Sequence, residues 1–312
     1  MRRFFLFLCI PFVAFGLEFK VATYNVENLF DAHFDGGEYE EYIVGAKHQW
    51  SEEKLRQKIT NLARVIRDMD ADIIALEEVE NEKILLRLNE ALGTKAYAYH
   101  FFPLKKERSS VESALLSRFP ITQTNTMLIK NQARGIHRIV VRIEKESLVL
   151  FVNHWPAQQE RVEERMQYAL ALNSMLLHEK KGAYILLGDF NSPYKIKKND
   201  WGIALVRLLK SGDKNSEHYN LWYELPENKR FSHVYGKHQE ALDHILISQT
   251  LHNAQALSYK PNSFEAFSRP YMLDEKGNPK RWQISVHGKG QHLGIGFSDH
   301  LPITAIFQIL TH

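Results

Sequence analysis

The chain has 312 residues, 44% of them hydrophobic and 25% charged, with a formal net charge of +3. That composition excludes a disordered tail, a collagen-like fibre and a polytopic membrane protein. Setting aside Arg2 and Arg3 leaves +1, so the chain is no general polyanion binder and any nucleic-acid contact must come from a local patch.

Taken in chain order, residues 1–16 read as an export signal. Arg2-Arg3 is a positive start, Phe4 to Phe15 an apolar run, and Ala14 and Gly16 stand at the −3 and −1 positions of a cut after Gly16. The run falls short of the ~20 apolar residues a spanning helix needs, although an uncleaved anchor is the alternative. The single cysteine, Cys9, lies in this segment, so residues 17–312 carry no disulfide, thiolate metal site or cysteine nucleophile. No internal repeat or low-complexity linker divides residues 17–312, which are expected to form one exported domain.

Phe19–Tyr24 reads as a strand ending at Asn25. Ser51 precedes Glu52-Glu53 as a helix N-cap, and Leu55, Ile59, Leu62, Ile66 and Met69 repeat at helical spacing. Asp72–Leu76 is a short buried strand followed by Glu77-Glu78. A helix over Glu82–Leu92 stops at Gly93. Strands are expected at Ala96–Phe102, Ala114–Ser117, Ile136–Ile143 and Leu148–Asn153, then a long helix at Glu160–His178. Ala183–Leu187 is a strand that ends in Gly188-Asp189-Phe190-Asn191, and Ala204–Lys210 a shorter helix. Ala241–Ser248 and Pro302–Ile309 close the pattern as strands, so the whole reads as an α/β domain with helices over sheet faces. Residues 271–296 collect glycine, proline and charge, and read as a long surface loop, either functional or a plain connection.

Polar residues fall at one kind of place. Asn25, Glu78, His154 and Asp189 follow apolar runs, whereas Asp243 and Asp299 precede them. With the last two strands antiparallel to the first four, all six reach one rim of the fold. Four carboxylates there, at ~5 Å and an effective dielectric near 20, would repel by roughly 3 kcal/mol per pair. Protonation or a bound cation relieves this, and the cation is preferred: oxygen donors beside an Asn suit Mg²⁺ or Mn²⁺, with Ca²⁺ open. Asp189 and Asn191 can face one side while Phe190 packs behind. His300, next to Asp299, and His154 supply imidazoles for proton transfer near neutral pH. His33, His48, His137 and His238 read as surface or satisfied interior residues.

Seven segments then carry a resemblance: residues 22–31 (ATYNVENLFD), 76–81 (LEEVEN), 113–120 (SALLSRFP), 153–156 (NHWP), 187–192 (LGDFNS), 242–246 (LDHIL) and 298–302 (SDHLP). In order, from about residue 19 to 309, they resemble the endonuclease/exonuclease/phosphatase superfamily with its DNase I-like fold. The resemblance implies a four-layered α/β/β/α sandwich and divalent-metal phosphoester hydrolysis. It implies Asn25 and Glu78 as metal ligands with Asp299 assisting, and Asp189 orienting the attacking water. It implies Asn191 as a phosphate contact, and His300, oriented by Asp243, as general base or as stabiliser of the phosphorane-like charge. His154 would donate to a phosphate oxygen or the leaving group, with Glu112 as its partner. Arg134 reads as a phosphate contact or as a solvent-facing arginine. One departure stands out: the family usually has Leu-Gln-Glu where this chain has Leu76-Glu77-Glu78, and Glu77 either adds to metal affinity or faces away.

The leading substrate is a nucleic acid, DNA first and RNA second, cleaved outside the cytoplasm. The sequences Lys195-Ile-Lys-Lys198, Lys105-Lys106 with Arg108, and Lys280-Arg281-Trp282 offer phosphate contacts and a stacking ring. A phospholipid headgroup such as sphingomyelin, or an inositol phosphate, is the alternative. It is weakened because the sequence shows no apolar docking hairpin. A non-catalytic binding protein on the same scaffold ranks last, since every rim residue is present. No obligate protein partner is inferred.

Overall fold

Along β1 (Glu18–Leu29) successive side chains enter two different cores. Phe19 and Val21 face one, Ala22, Tyr24 and Val26 the other, as the two-residue period of a strand buried on both faces requires. The structure is a computed structural model and describes residues 16–104, 109–179, 182–253 and 256–310. The export signal (apart from Gly16) and the Lys105, Lys106 and Arg108 cluster lie outside the described residues.

The remaining strands are β2 (Ile73–Val79), β3 (Tyr99–Phe101), β4 (Glu112–Ser117), β5 (Ile121–Met127), β6 (Ile136–Ile143), β7 (Glu146–His154) and β8 (Tyr184–Asp189). After them come β9 (Ser211–Gly212), β10 (His218–Asn220), β11 (His233–Tyr235), β12 (His238–Glu240) and β13 (Asp243–Ser248). The last are β14 (Leu257–Tyr259), β15 (Glu265–Ala266) and β16 (Ile303–Ile309). One seven-stranded sheet runs β14-β16-β1-β2-β4-β3, with β15 on β16; the other runs β5-β6-β7-β8-β13-β10-β9. Strands β11 and β12 form a separate hairpin.

The two sheets pack face to face through Val21, Ile73, Ala75, Ile139, Leu150, Ile185, Ile245 and Phe307. Helices α1 (Glu52–Met69) and α2 (Glu82–Ala91) cover the outer face of the first sheet, and α3 (Val162–Leu176) that of the second. This is the expected α/β/β/α sandwich. Ser51 caps α1 by accepting from Lys54 N at 3.4 Å, and Asn81 caps α2 by accepting from Ile84 N at 2.9 Å.

Strand polarity is as expected where it matters. β1 and β2 are parallel and β16 is antiparallel to β1; β7 and β8 are parallel and β13 is antiparallel to β8. Several expected elements are different. β1 does not stop at Tyr24 but continues through a bulge to Leu29. The strand expected over 96–102 is only β3, and the helix expected over 204–210 is a single wide turn, Ala204–Leu208. The edge strand β5 was not anticipated.

Candidate active site

The in-facing parity of each central strand, followed to its end, changes from apolar to polar. Val152 gives way to His154, Leu187 to Asp189 and Val21 to Thr23 and then Asn25, while Asp243 precedes Ile245. Parity alone would put Glu77, not Glu78, into the site. Register shifts in both β1 and β2 intervene, between Asn25 and Leu29 and between Leu76 and Val79. Glu27, Asn28 and Glu78 there take left-handed φ values of 52°, 59° and 66°. The bulge re-aims Glu78 onto the rim and leaves Glu77 beneath it, fully buried. The extra carboxylate of this chain therefore faces the inter-sheet core, not the rim.

Gly188 is required by close packing. Its φ is +127°, and a Cβ there would come within 2.0 Å of Asn153 O on the neighbouring strand. The resulting approach of β8 to β7 sets Asp189 beside His154 in register.

The six rim residues do converge. Asn25 Nδ2 donates to Glu78 Oε1 at 3.0 Å and to Asp189 Oδ2 at 3.1 Å. His154 Nε2 lies 3.8 Å from each of the same two oxygens. Asp189 also accepts from Asn191 N at 2.8 Å and Asn191 Nδ2 at 3.1 Å, with Phe190 packed behind as expected. Asp243 Oδ2 is 2.7 Å from His300 Nδ1, and both residues are buried. Asp299 Oδ1 is 4.0 Å from His300 Nε2. Arg134 reaches the same rim, donating from Nε to His154 O at 3.3 Å and from Nη2 to Trp155 O at 3.4 Å.

Glu112 does not back His154: its Oε2 lies 3.9 Å from His137 Nε2, the two being a buried pair. His154 Nδ1 has no hydrogen-bond partner among the described residues. Trp282 is buried against Trp50 and His292 and offers no stacking ring. Lys195 and Lys197 are paired with Glu227 and Glu240.

The charges fit a site built around a cation. Burial, then the Asp243 charge, pushes Asp189 up to about 7, so the cluster holds a proton against its own repulsion. Burial would raise Asp299 too, but the His233, His300 and Arg281 side chains hold it well below the usual carboxylate range. Burial opposes the charged form of His300, yet Asp243, Asp189 and Asp299 together lift it well above an ordinary histidine. His154 is pushed well down by burial, with help from Arg134 and His300, and is neutral. Asp243 Oδ1 is buried without a hydrogen-bond partner among the described residues. Among the described residues three groups lie close enough to share one ion: Asp189, Asp243 and His300; His233, Asp299 and His300; and Asp35, Glu38 and Glu80. The carboxylates of the first two groups suit a hard divalent ion, whereas the charged His300 has no lone pair to offer one. Asn25 presents nitrogen to Glu78 and Asp189 while its oxygen accepts from Glu27 N at 3.0 Å. Ligation through that oxygen requires the amide to turn over.

Sequence reasoning missed three contributors. Glu27, buried in the bulge, accepts from Arg281 Nε at 2.9 Å and from Trp282 N at 2.7 Å, tying the 271–296 loop to the rim. Its backbone oxygen accepts from the buried Lys58 Nζ at 2.7 Å. Arg165, buried in α3, donates to Pro156 O, Gln158 O and Gln159 O and so fixes the loop after His154. The β11–β12 hairpin brings His233, Tyr235 and His238 to a cleft of about 510 Å³. Glu78, Asp189, Asn191, Asp299 and His300 line the same cleft, so His238, read as a surface residue, stands on its wall. A charged residue inside an apolar strand or on a helix's apolar face, as at Glu27 and Lys58, is the signal that was available.

A model of the Endonuclease/Exonuclease/phosphatase family matches residues 20–308. No curated protein matches the sequence. Among solved structures, truncated Caenorhabditis elegans TDP2 is similar at 13% identity and a TM-score of 0.59, over 95% of this chain and 99% of that one. A family protein from Bacteroides thetaiotaomicron is similar at 14% identity and 0.60, over 95% and 99%. D. rerio TDP2 complexed with single strand DNA product is similar at 12% identity and 0.60, over 93% and 98%. At these identities the likeness is one of fold.

Proposed function

The chain belongs to the endonuclease/exonuclease/phosphatase family and is a metal-dependent phosphoester hydrolase, and from that premise we propose that it is an exported nuclease acting on DNA, with RNA as the second candidate. The observation that carries the reading is the open cleft in which Glu78, Asp189, Asn191, Asp299 and His300 face one space. The D. rerio TDP2 structure, with its single strand DNA product, supports nucleic acid as the class of substrate. Export rests on Arg2-Arg3, the apolar run and the Ala14/Gly16 pair. A mature protein beginning at Leu17 is the expected N-terminal sequence.

Glu78 and Asp299 would hold the divalent ion, Mg²⁺ or Mn²⁺, with Asn25 once its amide turns. When bound, that ion neutralises charge developing on phosphate oxygens. The remaining roles belong to side chains. Asp189, fixed by Asn191 and Asn25, orients the attacking water and accepts its proton, since a carboxylate near 7 is matched to that task. Asn191 contacts the phosphate by giving up one of its two amide bonds, to Trp155 O or to Asp189. His300, protonated against Asp243, stabilises the negative charge on the oxygens of the phosphorane-like state; an imidazolium is no base, so the second of its two expected roles is the one adopted. Neutral His154 donates from Nε2 to a phosphate oxygen, and Arg134 lies beside it for a second contact.

The test is incubation of the purified protein with covalently closed plasmid, RNA and sphingomyelin vesicles, each with Mg²⁺, Mn²⁺, Ca²⁺ or EDTA. EDTA-sensitive nicking is expected, and His154→Ala or His300→Ala should lower turnover by about 10²-fold or more. Lipid turnover with intact plasmid and RNA would reject the nuclease.

A further inference from the structure

A second cavity, of about 680 Å³, opens beside the catalytic cleft. Its walls come from the β1 bulge (Glu27, Asn28), from Tyr39, Glu41 and Tyr42, and from Arg281, Gln283 and their neighbours in the long loop. It adjoins the catalytic residues at two points. The backbone N of Asn28 donates to Glu78 Oε2 at 2.9 Å, and Arg281 Nη2 is 3.7 Å from Asp299 Oδ2. The Glu78–Asp299 edge therefore has the catalytic cleft on one side and this cavity on the other.

Arg281 is built for contact with an anion. Its Nε and Nη2 both bond the buried Glu27 Oε1, at 2.9 and 2.6 Å, which fixes the guanidinium plane. Its side chain is nevertheless 64% exposed, so the rest of the fork is free to meet a phosphate. Tyr39 lines the same cavity, exposed and packed edge-on to Phe30 at 5.2 Å. His287 lines the cavity as well, in a tight turn where it and Val286 both hold φ of 53°.

We propose that this cavity is the second arm of the substrate cleft: a subsite for the nucleotide adjoining the scissile linkage, with its phosphate on Arg281 and its base against Tyr39. The subsite rests on the nuclease reading above. An arm on each side of Glu78 and Asp299 lets a strand run through the site, which is the geometry of internal cleavage.

The experiment uses single-stranded DNA oligonucleotides with one ordinary phosphodiester, all other linkages being hydrolysis-resistant phosphorothioates. They are lengthened by one nucleotide on the 5′ or the 3′ side, and kcat/KM is measured for each. Wild type should gain from extension on both sides. Arg281→Ala should lose about tenfold of the gain on one side only. Because Arg281→Ala also strips Glu27 of a partner, Gln283→Glu is the second variant. It leaves the Arg281–Glu27 pair in place, adds a negative charge to the cavity wall, and should lose the gain on that same side. The salt dependence of the affected substrate should flatten by roughly 0.7 in log–log slope, one single-strand phosphate. Equal losses on all lengths, or an unchanged gain on both sides, overturns the subsite and leaves the nuclease standing. Failure of wild type to cut any oligonucleotide removes both.

Discussion

Replacing Asp243 by Asn separates the charge of the His300 partner from its shape. In wild type, Asp243 Oδ2 and His300 Nδ1 are 2.7 Å apart and both residues are buried. At an effective dielectric of about 20, the attraction across that distance is roughly 6 kcal/mol. Measured losses on breaking such a buried pair run to about 3–5 kcal/mol. At 1.36 kcal/mol per pH unit, even the low end moves the imidazolium limb about two units toward acid. An Asn oxygen can still accept from Nδ1–H, so the ring should keep its place. The assay is kcat/KM on an oligonucleotide between pH 5 and 10 at saturating metal. Wild type should keep its rate well above pH 6.5, because the folded state holds His300 charged. Asp243→Asn should lose rate from a lower pH, about 100-fold where wild type is on its own limb, and the acid limb set by Asp189 should move down too, because the Asp243 charge helps to raise that carboxyl. A uniform loss at every pH, or an unmoved limb, would show that Asp243 only holds the ring and that the charge on His300 is not used.

Glu77 is raised well above the ordinary carboxyl range by burial and by Asp243, so it is protonated at neutral pH. Glu77→Gln should therefore change unfolding free energy by less than about 1 kcal/mol, whereas Glu77→Ala, which leaves a cavity and strips Thr23 Oγ1 of its 2.8 Å acceptor, should lose about 2–4 kcal/mol in urea titrations. An equally large loss for Gln would mean that Glu77 is ionised. His137 and His244 are pushed down to about 4 by burial and are neutral in the fold. The unfolded chain binds more protons between pH 6.5 and 4, so stability is present above that window and is lost as the pH falls through it, by up to roughly 3 kcal/mol for each histidine. Thermal midpoints that stay level from pH 7 to 4.5 would contradict this. With Asp189 held at about 7, adding Mg²⁺ or Mn²⁺ at pH 6.5 should release a proton, read by calorimetry in buffers of differing ionisation heat, and should raise the thermal midpoint. Heats independent of buffer would detach Asp189 from the ion.

What could be read in the sequence was whatever local chemistry fixes. Ser51 and the apolar repeat after it dictate α1 without help from the rest of the chain. The apolar runs before Asn25, His154 and Asp189, and after Asp243, are buried on both faces and so read as strands whatever surrounds them. Residues 121–127, Ile-Thr-Gln-Thr-Asn-Thr-Met, gave no such signal because β5 is an edge strand, paired only to β6 and largely exposed. An edge strand is kept polar to avoid pairing with other chains, and that hides it from a search for buried periodicity. β3 was overdrawn for the opposite reason: Tyr97 is apolar and buried, but its backbone is held by the Asn89 side chain, not by a ladder. Glu112 was misassigned because chain order says only that it precedes β4's apolar run; which histidine it meets depends on how the two sheets are stacked.

The Glu77–Glu78 pair shows most clearly what strand periodicity can and cannot decide. Two adjacent carboxylates on a buried strand must face opposite ways, and strict alternation would send Glu77 into the site and Glu78 under the helices. The bulge overrides this for Glu78, because the left-handed residue takes its two bonds, from Asn25 Nδ2 and Asn28 N, at the rim. Glu77 keeps the regular position and becomes a neutral acid below Asp243 and Asp189. One backbone irregularity thus divides two like residues between the rim and the core. It also turns Glu27 inward, where its carboxylate anchors Arg281, so the same bulge shapes the catalytic edge and the mouth of the second arm.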